Sequence, residues 1–251
     1  QPEPEPTPQP EPEPTPEPEP EPEPLPTECV DGVATGSNEN GSVEIPCEQL
    51  GNFEFETTDD GTFALNATKP VEQVDYLVDG VLESSGKKIT ESSFTFAPDA
   101  NSSKGRGQIV VANAKASNIA FVSQGGKPDL HLSSDKLTNI VYDGSVKSRD
   151  TIVIAEGSTL MRGSSFDLGK KADVITFHGD LKKTYVDLGD DKSVDKVILD
   201  SFDQIIAKKL HISNFSKKDE LIVGGELISY EDLSVNDYEV IKVSFKGDSL
   251  A

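Results

Sequence analysis

Asp173-Val-Ile-Thr-Phe177, Asp195-Lys-Val-Ile-Leu199 and Asp219-Glu-Leu-Ile-Val223 are three versions of one unit, an aspartate that opens a short branched apolar run. The same unit stands upstream as Asp129-Leu-His-Leu132 and Asp150-Thr-Ile-Val-Ile154, and successive aspartates are 21, 23, 22 and 24 residues apart. A second apolar run lies between them: Ile140-Val-Tyr142, Phe166-Asp-Leu168, Tyr185-Val-Asp-Leu188 and Leu210-His-Ile212. Two short strands in each repeat, closed by Gly, Asp and Lys turns, describe one coil of a β-solenoid. Such a coil buries its apolar side chains only by stacking on the next. A sandwich with evenly spaced hairpins is the competing account, since its turns recur every ~8–12 residues. The in-phase return of aspartate plus strand favours the solenoid.

The unit resembles degenerate haemolysin-type (RTX) repeats of large secreted bacterial surface proteins. The resemblance is carried by Lys171-Ala-Asp-Val-Ile-Thr-Phe-His-Gly-Asp-Leu181, Val186-Asp-Leu-Gly-Asp-Asp-Lys-Ser-Val-Asp195 and the closing Ile212-Ser-Asn-Phe-Ser-Lys-Lys-Asp-Glu-Leu-Ile-Val223. It implies a parallel solenoid and, in its calcium-binding form, G-G-x-G-x-D turns whose carbonyls and carboxylate surround Ca²⁺. Here the residue two before each aspartate is Lys127, Ser148, Lys171, Ser193 or Lys217, never Gly. A lysine there puts an ammonium where the ion would sit, so Asp–Lys pairing is expected in place of the metal. Asp187, Asp190, Asp191 and Asp195 are the one set able to gather carboxylates for a weak Ca²⁺ site, against the plainer reading of solvated turn charges.

Upstream, Phe53 and Phe55 alternate with acids, and Phe63-Ala-Leu65, Val74-Asp-Tyr76 and Gln108-Ile-Val-Val-Ala112 follow as further short alternating runs. This pattern predicts antiparallel strands. Val71-Glu-Gln-Val-Asp-Tyr-Leu-Val-Asp-Gly-Val-Leu82 followed by Ser93-Phe-Thr-Phe-Ala-Pro98 resembles a bacterial immunoglobulin-like repeat, which implies a sandwich over residues 51–117.

The ends differ from the body. Thirteen of 17 prolines fall in the first 26 residues, alternating mainly with glutamate. Proline fixes φ and removes donors, and neighbouring glutamates repel, so residues 1–28 are expected to be an extended polyproline II stalk. No Lys or Arg precedes Lys69, while 17 acids do; beyond it 28 acids face 23 bases, so most of the net charge of −22 lies near the N-terminus. No basic stripe is evident for nucleic acid, and no apolar run approaches the ~18 residues of a membrane span. The chain opens at Gln1, which suggests a piece of a longer protein or the product of leader removal. Cys29 and Cys47 flank a polar, turn-rich segment and are expected to be disulfide-bonded, which fits an oxidising compartment.

Catalytic signals are thin. His131, His178 and His211 lie in or beside strands of different coils, and the esterase-like Gly247-Asp-Ser-Leu250 has no downstream histidine. Polysaccharide lyases on β-helices are the enzyme alternative, but about five coils offer little groove. The expected class is all-β: a stalk (1–28), a disulfide-closed segment (29–50), an immunoglobulin-like sandwich (51–117), a short parallel β-solenoid (118–223) and a C-terminal cap (224–251). The expected role is a non-enzymatic secreted or cell-surface structural or adhesive module, with no required cofactor. Its partner would be a glycan, a protein surface or a second copy. Two alternatives share much of this physics: a calcium-binding RTX-type secretion domain, and a segment of a viral fibre.

Overall fold

The computed structural model describes residues 29–38, 41–57, 62–96, 107–145, 147–201, 204 and 210–228. The stalk, most of the expected C-terminal cap and Gly247-Asp-Ser-Leu250 lie outside the described residues. Strand is nearly all of the regular structure in the described chain, which is wound into a β-solenoid of about 7 turns. One wall of the coil is the parallel succession Thr62–Ala67, Val81–Gly86, Gln108–Asn113, Asp129–Leu132, Thr151–Ile154, Val174–Phe177, Lys196–Leu199 and Glu220–Val223. The facing wall is Asp75–Asp79, Ile89–Phe96, Ala116–Ser123, Lys136–Asp143, Ser165–Asp167, Thr184–Asp187 and Leu210–Ser213.

Alternate residues of each strand point inward, because side chains switch faces at every residue of an extended chain. Parallel register then stacks like on like. Along the first wall Phe63, Leu82, Ile109, Leu130, Ile152, Ile175, Val197 and Leu221 form one file. Along the second, Tyr76, Phe94, Phe121, Tyr142, Phe166, Val186 and Ile212 form another. The rings of Tyr76 and Phe94 stack at 4.5 Å between centroids, and those of Phe94 and Phe121 at 5.2 Å. Both files belong to one continuous buried core. At roughly 1.5–3 kcal/mol for each fully buried large apolar side chain, this shared core is the main favourable contribution to folding.

The sandwich expected over residues 51–117 is corrected by this pairing. From Thr62 onward these strands join their neighbours in parallel, and Ala116–Ser123 pairs with strands on both sides of the expected boundary. Among the described residues the antiparallel pairing a sandwich needs is confined in this region to Phe53–Thr57 on Thr62–Ala67 and to Gly41–Pro46 on Asp75–Asp79. The solenoid was hidden here because its early coils are unequal. Thr62 aligns with Val81, Val81 with Gln108 and Gln108 with Asp129, steps of 19, 27 and 21 residues. The marker aspartate is missing as well: its column holds Gly80, Gly107 and Pro128 before reaching Asp150.

One corner of the coil has a left-handed backbone. Gln73, Glu91, Asn118, Asn139, Gly163 and Lys183 all take positive φ, from +52° to +93°. Outside glycine this conformation costs about 1 kcal/mol or more per residue. Asn side chains bear it best, and Asn139 Nδ2 donates to Asn118 Oδ1 at 3.0 Å between successive coils.

Both described ends are closed by antiparallel strands, which keeps a parallel stack from offering a bare edge to another chain. At the N-terminal end the hairpin Val33–Asn38 with Gly41–Pro46 lies against Asp75–Asp79, and a short 3₁₀ turn at Cys47–Asn52 leads to Phe53–Thr57. Cys29 and Cys47 are bonded with their Cα atoms 5.9 Å apart, as expected from the sequence. At the other end Glu226–Ile228 folds back antiparallel on Glu220–Val223.

Candidate functional site

The turns that carry the chain from the second wall back to the first stack along one edge and hold two columns of aspartate. The inner column is Asp150, Asp173, Asp195 and Asp219. The amide of Asp150 donates to Asp173 Oδ1 at 2.7 Å, that of Asp173 to Asp195 Oδ1 at 2.9 Å, and that of Asp195 to Asp219 Oδ1 at 3.0 Å. The carboxyls of Asp173, Asp195 and Asp219 therefore each tie their own coil to the preceding one. Asp219, at the end of the series, also takes the amide of Ser216 on its other oxygen, at 2.7 Å.

Asp129 does not belong to this column. It pairs in register with Thr151, one residue late, and Pro128 occupies the ladder position. Asp129 instead stands on the outer face, 2.9 Å from His131 Nε2. The interval of 21 between the first two aspartates was the trace of this slip.

The expected Asp–Lys pairing is also corrected at Asp150, Asp173 and Asp195. Among the described residues the ion pairs are Lys88–Glu72, Lys196–Glu220, His131–Asp129 and His178–Asp200, and none involves Asp150, Asp173 or Asp195. These three carboxyls are buried, where a flexible ammonium would have to be stripped of water to follow. At Lys171 it is the backbone, not the side chain, that supports Asp173.

Burial without a counter-charge raises all three pKa values. Burial pushes Asp150 up to about 6, with Ser148 and Tyr142 beside it pulling part of the way back. Burial raises Asp173 to about 8, reinforced by the carboxyls of Asp150 and Asp195, while donated amides oppose the shift. Burial again leads at Asp195, raised to about 7, with Asp219 and Asp191 adding to it. Several buried oxygens lie outside hydrogen-bond distance of any partner: both of Asp150, Oδ2 of Asp173 and the hydroxyl of Tyr142. Burial first, then the adjacent Asp150, raises the Tyr142 phenol far above its usual range.

The outer column is Asp143, Asp167 and Asp187, aligned across adjacent coils. Asp167 Oδ1 accepts the amide of Gly169 at 3.1 Å, and Asp187 Oδ1 that of Gly189 at 3.0 Å. Asp187 Oδ1 also takes Asn214 Nδ2 at 2.6 Å. Partial burial, then Asp187 and Asp143, raises the pKa of Asp167. Beside this column runs a row of exposed or half-exposed outward side chains, Val141, Ser165, Tyr185 and His211, in register. The rings of Tyr185 and His211 are 5.3 Å apart. Together the two rows line a shallow groove of about 480 Å³ on the outside of the second wall.

The residues singled out for a weak Ca²⁺ site do not converge. Asp187 and Asp191 hold the amides of their own turns, Asp191 that of Ser193 at 2.7 Å, and Asp195 belongs to the inner ladder. Among the described residues no group of three or more His, Cys, Asp or Glu side chains is placed to hold a metal ion. The three histidines sit apart: His131 with Asp129, His178 with Asp200 and His211 against Tyr185. Of the outer aspartates sequence reasoning singled out Asp187 alone and missed Asp143 and Asp167, although the repeated Asp-Leu-Gly of 167–169 and 187–189 announces the column. Compared with known protein families, curated proteins and solved structures, the chain matches none.

Proposed function

We propose that this chain is a non-enzymatic adhesive module of a secreted or cell-surface protein, carried on its Pro-Glu segment and binding glycan through the outer groove of the solenoid. The observation that supports this reading is the pairing of two rows along that groove. One is apolar and aromatic, with Val141, Tyr185 and His211; the other is of carboxylates, with Asp143, Asp167 and Asp187. A sugar presents C–H faces that pack on a ring and hydroxyls that donate to carboxylates, so the two rows suit its two chemistries. The groove is open and shallow, as suits a chain that lies along the coil axis. The disulfide and the continuous core fit a module that keeps its shape outside the cell. A glycan array probed with the whole chain tests the reading, with Tyr185→Ala as the partner measurement. Retention of a glycan class that Tyr185→Ala weakens by roughly tenfold, about the worth of one aromatic contact, supports it. Equal retention by the variant sinks it.

A further inference from the structure

The edge that holds the aspartates also carries a row of exposed bases. Its five stacked turns, residues 124–128, 144–149, 168–172, 188–194 and 214–218, contain eight bases and two acids. Lys147, Arg149, Lys170, Lys171, Lys192 and Lys218 are all exposed, and none takes part in an ion pair among the described residues. Eight aspartates border these turns, at 129, 143, 150, 167, 173, 187, 195 and 219, and their short side chains hold charge nearer the backbone than the bases do. Asp167 and Asp187 are short and bonded to their own turn amides, and Asp150, Asp173 and Asp195 are buried. Long Lys and Arg arms reach past them into solvent. Successive turns stack at the strand spacing of ~4.8 Å, so the bases form a ridge parallel to the coil axis rather than a single cluster.

The chain itself carries a matching polyanion. Residues 1–28 contain nine glutamates and no base. Alternation with proline favours extended backbone, which sets successive carboxylates of the run Glu17, Glu19, Glu21 and Glu23 about 6 Å apart along the chain. A row of carboxylates and a row of ammonium and guanidinium groups with similar repeat lengths can run alongside each other without precise register, as polyelectrolytes do.

We propose that the Pro-Glu segment of one copy docks along the basic ridge of a second copy, so that the module self-associates through charge. This rests on the reading of residues 1–28 as an outstretched spacer and of the body as a structural module. Extension favours contact with a neighbour over folding back on the same body. The contact is solvated on both sides, so it is weak, reversible and screened by salt.

Sedimentation velocity of the full chain at low salt and at about 0.5 M salt reads this out, since screening at the higher salt shortens the reach of charge to a few ångströms. Two variants accompany it: the nine stalk glutamates changed to glutamine, and Lys147→Gln, Arg149→Gln, Lys170→Gln, Lys171→Gln together. The expected result is association of wild type at low salt, weakened roughly tenfold or more by screening. Each variant alone should be monomeric, and a mixture of the two should associate again, because each supplies one intact half. Wild type that stays monomeric at low salt overturns the proposal. So does association that survives in either variant, or a mixture that remains monomeric. Retention of an inorganic polyphosphate by the ridge, unaffected by stalk charge and without self-association, would assign the ridge to an outside polyanion and equally overturn it. Small-angle scattering at high salt separately reports whether an extended segment projects from a compact body, so a failure of the spacer reading is distinguishable from a failure of the docking.

Discussion

Pro128 stands one coil before Asp150 in the inner ladder and has no amide proton to give it. At every later step the preceding residue supplies that proton: Asp150 to Asp173, Asp173 to Asp195, Asp195 to Asp219. The ladder thus starts with a carboxyl whose two buried oxygens take no amide, with only the nearby hydroxyls of Ser148 and Tyr142 to favour its charge. A buried ionised carboxylate without donors is far more costly than a neutral one. The ladder is accordingly held together best when part of it is protonated.

The pH dependence of stability follows from this. Native pKa values of about 6, 8 and 7 at Asp150, Asp173 and Asp195 lie above the ~3.9 of an unfolded aspartate. The native state therefore binds more protons between those limits, and stability falls as pH rises through them. The contribution is complete below about pH 4 and gone above about pH 8. Thermal melts should show Tm dropping by several degrees between about pH 5 and about pH 8. A Tm that is flat or rises across this window would contradict the ladder's electrostatics.

Asp173→Asn separates the ladder's charge from its hydrogen bond. The amide oxygen of asparagine can still accept from Asp150 N–H, now without charge to desolvate. Relative to wild type the variant should gain stability steadily as pH rises, and its own Tm–pH slope should be shallower. Parallel melting curves for the two proteins at all pH values would show that Asp173 is not the group that titrates.

Pro128→Ala restores a donor at the head of the ladder. It also loosens the unfolded chain, which costs about 0.4–1 kcal/mol. At acid pH, where Asp150 is neutral, the variant should be the less stable of the two. At alkaline pH the new amide supports a charged Asp150, and the difference should shrink or reverse. NMR titration of the Asp150 carboxyl checks the cause directly, the expectation being a lower pKa than in wild type.

The solenoid itself was legible in the sequence because Asp150, Asp173, Asp195 and Asp219 recur in phase and each opens a buried strand. What the marker does was not legible. Side chain to amide bonding across coils leaves no trace in composition, and the nearby lysines suggested a simpler electrostatic partner. The first coils were illegible for another reason. Their ladder column holds Gly80, Gly107 and Pro128, and their unequal steps break the period, so alternation alone remained. Alternation cannot tell a parallel strand with one wet face from an antiparallel one. The groove escaped notice because Val141, Tyr185 and His211 share no residue type; only parallel register brings them together.

The outer turns depend on glycine at one point above all. Gly189 has φ of +80°, and a Cβ there would press into the carbonyl of Gly169 in the coil before it. Gly189→Ala should cost at least about 2 kcal/mol, combining left-handed strain with displacement of a neighbouring turn. Gly157, also at positive φ but with open space around it, should pay only the strain. Equal losses at the two positions, read from denaturant midpoints, would remove the steric part of the argument.

Reduction of Cys29–Cys47 should loosen the N-terminal cap first. The bond spans 18 residues in sequence, and on the loop-entropy account closing such a loop contributes about 3 kcal/mol. Thiol titration of the denatured, unreduced protein should find no free thiol. In reductant, hydrogen exchange should quicken in Val33–Pro46 while the strands from Thr151 onward keep their protection. Uniform loss of protection along the coil would mean that the cap and the distant coils unfold as one unit.

Calcium is the last test, and the ladder sets its outcome. In an ion-bound turn, carboxylates are held by a cation, and removing it leaves like charges facing one another. Here Asp173, Asp195 and Asp219 are held by backbone amides of the preceding coil, and Asp187 and Asp191 by amides of their own turns. Those bonds form without metal, and protonation removes much of the remaining repulsion within the inner column. The chain should therefore give a β-rich circular dichroism spectrum in excess chelator. Added Ca²⁺ should move Tm by no more than a degree or two, since even an ion at tenfold its Kd adds only about 1.4 kcal/mol. A small response that disappears in Asp190→Asn would place a weak surface site in the 187–195 turn without altering this account. A chelated protein that is a random coil and folds on adding Ca²⁺ would refute it, because amide donors would then be insufficient to hold the aspartates, and the stacked core insufficient to hold the coils.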